Sequence, residues 1–212
     1  MAVIQQVANT AVNTVADDVW EIGFTGGGAV TAWKQAQIFQ APNDCVLSIG
    51  TIRVLRQTDT TIPLKVFLQG VISSGAYWLP NNSAIASAAI SAAAIAAVAT
   101  PTASANLYLA AWVTVPFSSA VLSANARYAI VAQSSTGTLN LYTWAASVSN
   151  VYTGGNRAIG SAETYATVTV AWLVASAWDF NFEIYGETIV PPAGGKSMGL
   201  TPSSWGGGGW GW

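Results

Sequence analysis

Residues Trp178 to Gly186 read Trp-Asp-Phe-Asn-Phe-Glu-Ile-Tyr-Gly, a strict alternation of apolar and polar side chains that fits an extended strand and not a helix. Trp178, Phe180, Phe182 and Ile184 fall on one face, and Asp179, Asn181, Glu183 and Tyr185 on the other, which is expected to be wet. A strand that buries one face belongs to an antiparallel sheet packed on one side, the unit from which a β-sandwich is built. The same spacing limits chemistry. At about 3.4 Å per residue the Cα atoms of Asp179 and Glu183 lie roughly 13–14 Å apart. Paired glycosidase carboxylates sit about 5–9.5 Å apart, so these two are not expected to form an acid/base pair by themselves.

Upstream, short β-like runs follow one another: 33–40, 46–56, 62–71, 107–117, 127–133, 139–144 and 165–174, then the strand 178–185. Turn chemistry separates them, as in Ala41-Pro42-Asn43-Asp44, Ser73-Ser74-Gly75, Ser134-Ser135-Thr136-Gly137 and Thr153-Gly154-Gly155-Asn156. Such a succession predicts an all-β sandwich or barrel. There is no internal repeat at a solenoid or propeller period. The segment Ala84–Val98 is nearly all Ala, Ser and Ile. It has helical propensity but fits neither period, and strand with a long irregular connection is the expected state. Residues 1–32 read as an N-terminal arm or an amphipathic lead-in, 33–186 as the sandwich, and 187–212 as a Gly/Trp-rich C-terminal arm without regular structure.

At 212 residues the chain suffices for one large all-β domain. Charged residues make up only 8%, against roughly 25% in an average soluble domain. A surface covered by Ser, Thr, Asn, Gln and Ala resists contact with other copies far less than a charged one. This points to a subunit of an assembly, with an uncharged extracellular domain as the alternative. The seven basic and nine acidic residues are scattered, which leaves no stripe for a phosphate backbone and disfavours nucleic acid. No run offers about 18 consecutive strongly apolar residues, so no spanning helix and no membrane partner are expected. The N-terminus has neither the basic nor the apolar region of a secretory signal. Cys45 is single and is expected in the core.

The absence of histidine removes the commonest general base and the Ser-His-Asp and Cys-His arrangements. Asp17, Asp18 and Glu21 are the only acidic cluster, and without an alternating Asp/Asn loop it reads as a solvated charge group rather than a calcium site. Gly26-Gly27-Gly28 lacks the Gly-Lys-Ser/Thr of a phosphate loop. No catalytic residue, metal or cofactor is therefore expected. Tyr142, Trp144 and Tyr152 are candidate glycan-binding aromatics, alternating or placed to form a platform for a pyranose ring. The competing reading is that Trp144, Trp112, Trp172 and Trp178 fill the core. Trp205, Trp210 and Trp212, spaced by glycines that let a backbone follow a groove, are candidate partner-binding anchors between subunits.

Taken together, Gln37–Pro42, Trp112–Phe117, Leu122–Val131, Tyr152–Gly155 and Asp179–Gly186 resemble a jelly-roll β-sandwich module found in bacteriophage structural and tail-fibre proteins and in bacterial surface proteins, itself similar to carbohydrate-binding modules. The resemblance covers roughly residues 33–186. It implies a non-catalytic virion component present in multiple copies, a capsid-decorating protein or a tail or fibre subunit, with copies of itself and other virion proteins as partners. A carbohydrate-binding adhesion module recognising cell-surface glycans is the alternative it implies. The bland segment 84–98 and the Gly/Trp tail depart from the module.

Overall fold

The computed structural model describes residues 4–9, 18–25, 31–56, 61–99, 110–117, 119–134, 142–148, 152–162, 171–175 and 178–190. They form two antiparallel sheets packed as a sandwich. The strands are β1 (Ile4–Asn9), β2 (Asp18–Thr25), β3 (Thr31–Gln40), β4 (Cys45–Arg56), β5 (Leu64–Ser74), β6 (Tyr77–Ile90), β7 (Ala111–Val115), β8 (Ala120–Leu122), β9 (Arg127–Ser134), β10 (Tyr142–Val148), β11 (Arg157–Ala162), β12 (Ala171–Ala175), β13 (Trp178–Phe180) and β14 (Phe182–Thr188). One sheet runs β12-β11-β3-β9-β5-β6. In the other, β14 lies between β1 and β4, and β4 also pairs with β7, β8 and the start of β10. The strand β2 joins the two sheets, pairing Asp18–Ile22 with β10 and Gly23–Thr25 with β3.

The N-terminal stretch does not stand apart as an arm. Its residues 4–9 extend the β14 edge, and 18–25 span the corner between sheets, so the sandwich begins well before residue 33. At the other end β14 continues past Gly186, and the Ile189 amide donates to the Asp44 carbonyl. Residues 191–212 lie outside the described residues.

Period-2 alternation produces the core. From one sheet Phe39, Leu64, Val66, Leu68 and Ile130 face Leu47, Ile52, Val54, Phe182 and Ile184 of the other, all fully buried or nearly so. Phe39 and Phe182 meet with ring centroids 5.8 Å apart. A smaller cluster of Ala36, Ile38, Ala129, Val131 and Ala158 lies on the opposite face of β3, β9 and β11, so these strands are buried on both sides. Cys45 is a buried free thiol whose pKa is raised by burial, then by Asp44.

Two stretches depart from the sequence expectation. Strand 178–188 is interrupted at Asn181, where it leaves β10 and joins β4. The Asn181 amide donates to the Ala145 carbonyl, its own carbonyl accepts from Arg53 N and Trp144 Nε1, and its side chain donates to Ser147 Oγ. Asn181 and Asp179 are thus fully buried rather than wet. Asp179 survives there because Gln37 Nε2 donates to Oδ1 at 3.0 Å and Tyr152 N donates to Oδ2 at 3.0 Å. Burial still pushes its carboxyl pKa up, and these two hydrogen bonds offset part of that shift. Gln37 also accepts from Phe180 N at 2.7 Å, so one buried amide ties β3 of one sheet to β13 of the other.

The segment 84–98 is likewise divided. Its first part completes β6, and a single helical turn, α1 (Ala92–Ala96), follows. Ser91 caps this turn, its Oγ accepting from Ala94 N, and Ile95 is buried beneath it. The expected strand is present as the end of β6, and in place of the long irregular connection expected with it these described residues form the turn of α1.

Candidate functional site

The Ser74-Gly75-Ala76-Tyr77 turn that joins β5 to β6 requires a left-handed residue, and Gly75 supplies it at φ +63°. The turn projects Tyr77 and Trp78 toward the loop 152–156. Asn156 holds the two together: its Oδ1 accepts from Trp78 N at 3.1 Å and its Nδ2 donates to Trp78 O at 3.0 Å. A side-chain amide here takes the place of a neighbouring strand. The loop is in turn fixed on β3, where Ile38 N donates to Asn156 O. A Cβ on Gly155 would lie 1.9 Å from the Ile38 carbonyl oxygen, so only glycine allows that approach.

Between turn and loop is a half-open recess of about 170 Å³, lined chiefly by Tyr77, Trp78, Arg127, Thr153 and Asn156. Arg127, the first residue of β9, places its guanidinium carbon 5.0 Å from the centre of the Trp78 ring, within cation–π range. Its Nε is buried and has no hydrogen-bond partner among the described residues. Among the described residues no carboxylate lines the recess. Its described chemistry is one cation, two aromatic rings, a hydroxyl and an amide.

The aromatics singled out by sequence lie elsewhere. Trp144 is fully buried, stacked on Phe180 with centroids 4.4 Å apart, and its Nε1 donates to the Asn181 carbonyl. Tyr142 is also buried, its hydroxyl donating to the Ile62 carbonyl at 2.6 Å, and burial raises its pKa. A ring without an open face cannot stack on a sugar, so Tyr142 and Trp144 are core residues and not a glycan platform. Tyr152 is half-buried, edge-on to Phe182 at 5.3 Å, with its hydroxyl accepting from Gln40 N. It supports the loop of the recess without lining it. Trp112 is exposed, whereas Trp178 and Trp172 are partly buried and pack against the main and the smaller core cluster respectively.

Trp205, Trp210 and Trp212 lie outside the described residues, as do Asp17 and Gly26-Gly27-Gly28. Among the described residues no group of three or more His, Cys, Asp or Glu could hold a metal ion, and no helix is long and apolar enough to cross a membrane. The recess escaped sequence reading because Tyr77 and Trp78, Arg127, and Thr153 and Asn156 come from three separate parts of the chain. Thr153-Gly154-Gly155-Asn156 was legible only as a turn. Compared with known proteins, the chain matches no protein-family model and no curated sequence. Fold and site together define an antiparallel β-sandwich with a small aromatic, cationic recess on its surface.

Proposed function

We propose that this protein is a non-catalytic structural subunit that assembles in multiple copies, in the setting its jelly-roll resemblance implies, a phage particle with the chain as a capsid-decorating or tail or fibre subunit. The observation that carries the reading is β6. Its 14 residues contain no charge, and among the described residues it pairs along one edge only, with β5. Soluble proteins ordinarily protect such an edge with lysine, proline, a bulge or a covering segment.

In β6 most of those devices lie in the first half, and the last of them is a register shift at Ile85, where Leu68 pairs with Ala86 and Gln69 with Ala84. Asn156 caps Trp78, Pro80 lacks an N–H, and the β5–β6 register shifts between Leu68 and Val71. From Ala84 to Ile90 there is neither charge nor proline, and Ile85 is 46% exposed. A second copy is the fitting occupant. Two antiparallel copies of one uncharged strand are self-complementary about a two-fold axis and meet no like-charge repulsion.

Sedimentation of the full chain over a range of protein and salt concentrations tests this. Association that grows with protein concentration and changes little with salt is expected. A chain that remains monomeric throughout and does not co-sediment with particles contradicts the reading.

A further inference from the structure

We infer that the recess between the β5–β6 turn and the loop 152–156 binds a carboxylate-bearing sugar unit, a uronic acid residue of an acidic glycan. This activity is separate from assembly through β6. Three observations carry it. Among the described residues, the buried Nε of Arg127 has no hydrogen-bond partner and the lining contains no carboxylate. Asp179, which shares Tyr152 as a neighbour, is held inward by Gln37 and by the Tyr152 amide. It is the part of the guanidinium that lines the recess, and not the buried Nε, that is available to an anion from outside, and a guanidinium fork matches a carboxylate with two parallel hydrogen bonds.

The second observation concerns shape and surface. About 170 Å³ is well below the roughly 300–1,000 Å³ of pockets for drug-sized ligands, so a single ring unit fits. Tyr77, 41% exposed, offers a ring face, and the exposed Thr153 offers a hydroxyl. A uronic acid presents an apolar C–H face and hydroxyls on the same ring as its carboxylate. A phosphate monoester carries up to two charges and no such face, and the recess supplies one cation flanked by aromatic rings.

The third is preorganisation. The Asn156 side chain is fully engaged with Trp78 and Arg157, and Gly155 is pressed against β3, so the two walls are fixed before any ligand arrives. Trp78 in turn lies within cation–π range of the guanidinium.

The test is NMR titration of the isotopically labelled full chain with galacturonate, using galactose, the methyl ester of galacturonate, acetate and inorganic phosphate as parallel probes. Galacturonate is expected to shift the Trp78 indole and Arg127 Nε–H signals, while the neutral sugars, acetate and phosphate bind at least about tenfold more weakly. Arg127→Gln is expected to weaken galacturonate binding about tenfold or more with an unchanged melting temperature, and Tyr77→Ala to weaken it severalfold. Because the wild-type shifts map the site directly, a misfolded variant leaves the test intact. The inference is overturned if galactose or its acid methyl ester binds as well as galacturonate, if acetate or phosphate does so, or if the shifts map away from Trp78 and Arg127. It is equally overturned if galacturonate causes no shift, or if folded Arg127→Gln binds like wild type.

Discussion

Gln37→Met removes one buried amide while nearly conserving side-chain length, and the structure fixes what is lost. Gln37 Nε2 donates to Asp179 Oδ1 and to the Ile38 carbonyl, and Gln37 Oε1 accepts from Phe180 N. Methionine can do none of this. The Phe180 amide loses the acceptor in front of it, and the Asp179 carboxylate loses one of the donors that make its burial tolerable. Stripping a hydrogen bond from a buried group costs about 1–3 kcal/mol, and more for a charged one, so two such losses come to roughly 2–6 kcal/mol. Against a typical stability of roughly 5–15 kcal/mol this is a large fraction. Urea unfolding of wild type and variant, read as a change in midpoint at constant slope, measures it. Gln40→Met is the control: Gln40 Nε2 donates to the Asn125 carbonyl at an exposed position, so its loss should cost under about 1 kcal/mol. Two variants with equal midpoints would refute the claim that the amide at position 37 ties the sheets together.

Three further outcomes follow from the same geometry. Burial raises the Asp179 pKa in the folded state, so the native protein holds that proton more firmly than the unfolded chain. Its contribution to stability is complete below the unfolded carboxyl value of about 3.9 and is lost as pH rises through the folded value. Urea midpoints measured upward from about pH 4 should show that decline, and Asp179→Asn should flatten it. Gly155→Ala drives a Cβ into the Ile38 carbonyl and should cost about 1–3 kcal/mol in a thermal melt while displacing the recess loop. Glu183→Ala, which the alternation alone predicts to be nearly silent, removes the acceptor for Thr51 Oγ1, the Tyr185 hydroxyl and Gln5 Nε2, and should cost about 1 kcal/mol in the same assay.

Strand periodicity was legible wherever one face met the main core. Phe180, Phe182 and Ile184 are all fully buried, as their alternation predicts. The opposite face of the same strand was not legible. Whether Asp179 is wet depends on Gln37, 142 positions away in the chain, and no local pattern records that pairing. Asn181 sits where a strand changes partners, which periodicity cannot register because the alternation runs on unchanged. Strand β1 hid in a polar stretch whose ladder comes from β14, whereas β2 carries Trp20, Ile22 and Phe24 at alternate positions and takes its ladder from β10 and β3. Residues 84–98 defeated both periods because two elements of different kinds share a uniform Ala/Ser composition, separated only by the cap at Ser91. Tyr142 and Trp144 advertised aromatic rings without revealing which way they faced. The recess needed Asn156 to be seen as a clamp rather than a turn residue.

The claim that copies associate through β6 is tested most directly by amide hydrogen exchange of the full chain across a dilution series. The amides of Ala84–Ile90 that point away from β5 should be protected at high protein concentration and exchange rapidly on dilution, while those turned toward β5, and those of β3, paired on both edges with β11 and β9, stay protected throughout. Exchange at Ala84–Ile90 that is independent of concentration, in a sample shown by sedimentation to associate, would place the contact elsewhere and contradict the account.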